Sequence, residues 1–394
     1  MVRAFVDNSA DTIDFLKDLG VEYKTVTIAA YDDPNEVWTF HLPDGLGARV
    51  QELLLSAVEH AGVDIFTETP ATELIIEDGK VVGVVAESEG EPLRVGGKAV
   101  VLATGGMGSN PELIAKYSWF APSAYNMNTL TPLQNMGDGL MMALSAGADD
   151  TNIVTCPILA AGARDKAMDS HIGAAGVQPG AIWINKTGRR FANEGTAENI
   201  GDIGPLYGKQ PDGIVWSVLD QANIDRLAEN GSEISIGEFV VFGRPLDRLR
   251  MELDQDVADG VAFAANTPEE LAEKIGVSPE NFAATVAAYN EACAAGDDKE
   301  FFKQEKYLRP LSTPPFYAVA LATGTMGSAG GIRINGNMQV VDKDYEPIPG
   351  LYAVGLDATG LYGDSYNMEV PGAANGFAHT SGRIAGRHFA AQQA

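Results

Sequence analysis

The chain has 394 residues, 45% of them hydrophobic and 21% charged, enough to bury large cores and to form two domains rather than one. Its 27 Lys and Arg stand against 54 Asp and Glu, a net charge of −27 that suits solubility and repels nucleic acid and anionic membrane surfaces, so neither is expected as a partner. Cys156 and Cys293 lie far apart without CxxC spacing, no apolar run reaches transmembrane length, and the N-terminus lacks an apolar signal core. No metal site is therefore expected, and the location is cytoplasmic by default, with export left open by a start that looks late.

The elements follow in chain order. Residues 8–23 read as a helix capped by Ser9 or Asp11, with Ile13, Leu16 and Leu19 on one face and Gly20 at its end. Residues 48–69 repeat the plan: a helix, a stop at Gly62, then a strand over VDIFTET. TELIIEDGKVVGVVAES (72–88) is a hairpin with Asp78-Gly79 at its turn. Residues 98–117 give a buried strand, the glycine turn ATGG and a helix start near Asn110-Pro111. GDGLMMALSAGA (137–148) is a glycine-led helix, and Asp138 reads first as its N-cap.

From about residue 150 the texture changes. IWINKTGRRFANE (182–194) is a short hairpin turning at Lys186-Thr187-Gly188, with Arg189 and Arg190 as a salt-bridged corner. Residues 267–296 form two helices, each with a Ser or Thr cap and a proline in the first turn. TPPFYAVALATG (313–324) returns to a strand. The last fifth is dense in glycine: TGTMGSAGGIRIN (323–335), PIPGLYAVGLDATG (347–360) and PGAANGFAHTSGRIAG (371–386). Bare backbone at this density lets a ligand come close, and a helix N-terminus can then face an anion.

These segments, in this order, resemble the fumarate reductase/succinate dehydrogenase flavoprotein family. The resemblance implies an α/β fold: a Rossmann-like FAD-binding domain (1–150 and 314–394) with an inserted α+β capping domain (151–313). It implies FAD contacts at Ala71, Ala103, Thr104, Gly105, Gly106, Asp138, Gly355, Asp357, Ala373 and Ala374. In the family, the acidic residue after GLYAAG binds a flavin hydroxyl; here Leu356 holds that position and Asp357 follows. Glu194 matches a proton-relay glutamate, and Arg226 lies a residue or two from the position of a proton-donor arginine.

The resemblance also has gaps. Before Gly45 the chain has a single glycine, Gly20, so the family's opening GxGxxG unit is not in this sequence. A truncated product, a separate N-terminal chain, or loss of FAD binding would each account for that. The carboxylate-clamping His and Arg of fumarate reductases are missing from ALATGTMGSAGG and SYNMEVPGAANG, which argues against fumarate as substrate. GDSYNMEVPG (363–372) resembles ketosteroid dehydrogenases instead. There a Tyr hydroxyl and a Gly N–H bind a substrate carbonyl; Tyr366 and Gly372 match, and Tyr362 is a second candidate. The expected activity is hydride transfer between FAD and a carbonyl-conjugated carbon–carbon double bond in a small neutral molecule, with an electron-donor protein as a further partner. The alternative is a fragment that neither binds FAD alone nor acts.

Overall fold

A computed structural model describes residues 1–28, 38–117, 125–126, 134–151, 153, 157–163, 166, 170–234, 242–328, 330–359, 361–362, 366, 370 and 372–394. Cys156, and GDSYNMEVPG apart from Tyr366, Val370 and Gly372, lie outside the described residues.

The opening helix runs Val2–Asp18, earlier than its caps suggested, since Ser9 and Asp11 lie inside it. The Ser9 hydroxyl donates back to the Val6 carbonyl at 3.0 Å. Gly20 does end the helix: at φ 97° it lets Val21 N–H reach the Leu16 carbonyl at 3.0 Å. Phe5, on the buried face, meets Phe377 of the closing helix edge-on with centroids 5.9 Å apart.

The second helix, Leu46–His60, stops at Gly62 as expected, but the strand over residues 63–69 does not form. Val63, Ile65 and Phe66 are 56%, 49% and 61% exposed. A strand needs a neighbouring backbone to satisfy its N–H and C=O groups, and no described strand pairs with this segment.

Two three-stranded sheets hold the glycine-rich parts. In one, Ala71–Glu77, Lys80–Ser88 and Glu91–Gly96 run antiparallel. The first hairpin turns at Asp78 and Gly79, both at positive φ, which matches the right-handed twist of its strands. In the other, Gln339–Val341 pairs with Pro347–Ala353, which runs parallel to Val100–Leu102. Val81, Leu102, Leu140, Leu351 and Phe377 share one core between these sheets and the helices around them.

The middle of the chain builds a six-stranded sheet in the order Ala262–Ala265, Phe316–Ser328, Val215–Asp220, Ile182–Asn185, with Tyr125–Asn126 and Pro157–Ala163 also on Phe316–Ser328. Pro268–Ile275 and Pro279–Ala295 pack on it through Leu271 and Phe282, which join Ile182 and Val218 in a second core. Their caps are those the sequence suggested: the Thr267 and Ser278 hydroxyls accept from Glu270 N–H at 3.2 Å and Asn281 N–H at 3.3 Å. The result is the expected α/β fold with a capping domain. Phe316–Ser328, assigned by sequence to the last part, pairs with the capping strands along its length. No helix among the described residues is long and apolar enough to cross a membrane.

Candidate functional site

The strand Val100–Leu102 delivers Ala103, exposed, and then the turn Thr104-Gly105-Gly106, with both glycines near φ 80–86°. Asp357 fills this turn. Its Oδ1 accepts the Thr104 hydroxyl and the Gly106 N–H, each at 2.9 Å, and its Oδ2 accepts the Thr104 N–H. Gly139 N–H in turn donates to Thr104 Oγ1 at 3.0 Å. Only bare backbone fits here. A Cβ on Gly106 would stand 2.3 Å from Ser328 Oγ, and one on Gly139 would stand 2.7 Å from Thr104 Oγ1.

Asp357 therefore spends its carboxylate on Thr104 and Gly106, two other residues that the resemblance names as FAD contacts. It is 1% exposed. Burial raises its carboxyl above the ordinary value; the three donors oppose this and nearby Asp138 adds to it.

The helix Asp138–Ser145 starts at Gly137 (φ 91°), so Asp138 is its first helical residue, exposed, and caps nothing. Beside it lies a groove of about 650 Å³ lined by Ala71, Thr72, Leu74, Asp138 and Met141, which unites two of the expected cofactor residues. The closing helix, Ala373–Gln393, likewise starts at a left-handed glycine, Gly372 (φ 75°), without a side-chain cap of the usual kind. Its Ala374 N–H donates to the Tyr366 hydroxyl at 3.3 Å. The Ser381 hydroxyl of the same helix accepts Gly355 N–H at 2.9 Å, tying the Gly355–Asp357 turn to it.

Tyr366 is 5% exposed, and its ring lies 5.1 Å from that of Tyr362. A Cβ on Gly201 would stand 1.8 Å from the Tyr366 carbonyl, so the capping helix Ile200–Gly208 presses directly on it. Tyr366 thus sits where the capping domain meets the closing helix.

The other two candidates are each held by ion pairs. Glu194 is fully buried, with Oε1 accepting Arg190 Nε at 3.0 Å and Trp183 N–H at 3.1 Å. Its Oε2 lies 2.7 Å from Arg190 Nη2 and 3.4 Å from Lys303 Nζ, and Arg190 also binds Asp298 at 2.8 Å. Burial alone would raise the Glu194 carboxyl, but Lys303, Arg190 and the Trp183 N–H outweigh it and hold it below the ordinary value. Arg226 pairs with Glu233 at 3.2 Å. Ser328, Asp298, Lys303, Glu233 and Arg309 were not singled out from sequence; Glu233 lies seven residues from Arg226, but the others meet their partners across tens of residues or more, where no local spacing marks them. Among the described residues no group of His, Cys, Asp and Glu is placed to hold a metal ion.

Comparison with known proteins shows the family. Residues 1–371 match the family described as FAD binding domain. The chain is 34% identical to the vinyl phenol reductase of Lactiplantibacillus plantarum over 404 residues, covering 98% of this chain and 80% of that one. It superposes on a flavocytochrome c3 fumarate reductase with TM-score 0.63 and 27% identity, over 98% of this chain and 63% of the other. It also superposes on the 3-ketosteroid Δ1-dehydrogenase of Sterolibacterium denitrificans with TM-score 0.69 and 24% identity, over 89% and 64%. The chain thus spans just under two thirds of the length of these two solved structures.

Proposed function

Because the chain belongs to the FAD binding domain family, with FAD as its cofactor, we propose that it is a flavin-dependent oxidoreductase acting on a carbon–carbon double bond. The residues present fit FAD. Two helices begin at left-handed glycines without side-chain caps on their first turns, and the groove beside one of them is lined by Ala71 and Asp138. The proposed cofactor contacts are Ala71, Asp138, Gly355, Ala373 and Ala374, with Ala103 and Gly105 at the turn. Thr104, Gly106 and Asp357 act on each other, holding that turn against the Gly355–Asp357 turn. When bound, FAD supplies hydride transfer to or from an alkene carbon.

The observation that carries the reading is the setting of Tyr366. It is buried between the closing helix and the capping helix, and its hydroxyl accepts from Ala374 N–H. A tyrosine hydroxyl that accepts one hydrogen bond still carries a proton to donate, and the proposed role of this one is to give it to a substrate oxygen or carbon. Gly372 N–H is the second proposed donor to the same oxygen. Tyr366 is assigned the proton role in preference to Glu194, which is enclosed by cations, and to Arg226, which is paired elsewhere.

Vinyl phenol and fumarate, named for two of the relatives, each contain a carbon–carbon double bond. Residues 313–331 and 361–376 contain no Arg or His, which favours a neutral substrate with the double bond conjugated to a carbonyl. The capping segment is proposed to run from about residue 151 and to include Phe316–Ser328, beyond the boundary at 313. The comparisons lend no support to a silent fragment.

The test is reduction of an alkene panel by the FAD-loaded chain with a reduced dye as electron source: cyclohexenone, 4-vinylphenol, acrylate and fumarate. A neutral conjugated alkene should react faster than fumarate. Tyr366→Phe should lower kcat by about 10²-fold with the flavin spectrum unchanged. Failure of every alkene to react with flavin-loaded protein would refute the reading.

A further inference from the structure

A cleft of about 430 Å³ opens on the capping domain between the helix Gln221–Asn230, the Gly231–Glu233 turn and the chain at residues 306–309. None of its lining residues belongs to the elements that frame the cofactor groove or Tyr366.

Its charge is unusual for a chain of −27. Arg226, Arg309 and Lys306 line it against one carboxylate, Glu233. Glu233 is shared: Arg226 Nη1 at 3.2 Å and Arg309 Nη2 at 3.4 Å both reach its Oε1. Its Oε2 accepts Gly180 N–H at 2.8 Å. A Cβ on Gly180 would stand 2.5 Å from that oxygen and 3.0 Å from Arg226 Nη2, so the cluster closes only around a glycine. Lys306 has its own counter-charge, Glu198, at 3.0 Å. Two guanidinium groups therefore share the Glu233 carboxylate, and the buried Asp220 carboxylate is the other anion that acts on Arg226.

Arg226 Nε and Nη2 are buried and have no hydrogen-bond partner among the described residues, and Glu233 Oε1, although within ion-pair distance of both arginines, has none either. The Arg226 Nε and Nη2 N–H groups form one edge of the guanidinium plane, the two-pronged edge that matches a carboxylate's two oxygens. Buried donors without an acceptor are rare in proteins and call for a missing partner. Burial lowers the Arg226 pKa and Arg309 adds to this, against the pull of Glu233 and Asp220. At the rim, Phe242 is 46% exposed, while Gly231 and Gly243 beside it carry no side chain.

We propose that this cleft binds a small carboxylate with an apolar or aromatic body. The carboxylate would engage the free edge of Arg226 and the Arg309 guanidinium, and the body would lie on Phe242. The argument rests on this cleft alone and not on the oxidoreductase reading.

The test is calorimetric titration of benzoate into the full chain, with and without FAD, and of benzamide as the uncharged control. Benzoate should saturate one site and benzamide should not bind. Arg226→Lys keeps a charge for Glu233 but removes the two-pronged edge, and should weaken benzoate by about tenfold or more. Arg309→Gln should weaken it several-fold and serves as the second variant should Arg226→Lys fold poorly. Tyr366→Phe should leave benzoate binding unchanged. The proposal is overturned if benzoate gives no saturable heat. It is also overturned if both arginine variants bind like the parent protein, or if Tyr366→Phe alone abolishes binding.

Discussion

Glu194 and Asp357 are two buried carboxylates drawn from two glycine-flanked motifs, and they are held in opposite ways. Glu194 sits among cations: Arg190 on both oxygens and Lys303 behind. Asp357 sits among neutral donors, the Thr104 and Gly106 N–H groups and the Thr104 hydroxyl, with Asp138 nearby as a like charge. The first carboxyl is pushed below its ordinary pKa and the second above it. A buried anion can be held by charge or by dipoles, and only the first choice makes its removal leave other charges stranded.

The largest expected effect follows directly. Glu194→Gln leaves Arg190 and Lys303 buried against Asp298 alone and should lower unfolding stability by about 3–5 kcal/mol. Denaturant titration measures this; a loss below about 1 kcal/mol would remove the contrast.

Asp357→Asn keeps the shape but points an amide at N–H donors. It should lower stability by about 1–3 kcal/mol and weaken FAD retention on desalting, because the 104–106 turn loses its anchor. Unchanged stability and flavin content would mean that the carboxylate holds nothing in place.

The pH dependence separates the two carboxylates by sign. Glu194 and Asp298 are depressed, so their contribution is full above the unfolded values near pH 4 and is lost as pH falls through the folded values. Asp357 is raised, so its contribution is full below the unfolded value and is lost as pH rises through the folded one. Acid unfolding should therefore be shallower in Glu194→Gln than in the parent protein. Asp357→Asn should narrow its stability gap to the parent as pH rises from the unfolded value to the folded one. The opposite trends would reverse the assignment.

The smallest effect is the control. Lys186 and Asp212 form an ion pair at the surface, more than 40% exposed on each side. Asp212→Asn should change stability by no more than about 1 kcal/mol. A larger change would mean that burial is not what distinguishes Glu194.

Much of this was legible in the sequence. Several turns and caps were, because their chemistry is local: Asp78-Gly79, Thr267, Ser278 and Gly20 act within a few residues, whereas the caps read at Ser9 or Asp11 and at Asp138 did not form. The 63–69 strand was misread because β-rich spelling gives no account of a partner backbone. Asp357 was found as a residue but not in its orientation, since its bonds to Thr104 span 253 positions. The Glu194 cluster was half visible: Arg190 lies four residues away, but Lys303 and Asp298 arrive from more than a hundred. The Arg226–Glu233–Arg309 cleft left no motif at all, because three separate segments meet to make it.

The most direct test of the central claim is the visible spectrum of the purified chain after incubation with FAD and desalting, followed by dye reduction and addition of cyclohexenone. A flavin band should survive desalting, bleach on reduction, and return when the alkene is added, with the return slowed about 10²-fold in Tyr366→Phe. A chain that retains no flavin, or a reduced flavin that no conjugated alkene re-oxidises, would contradict the account.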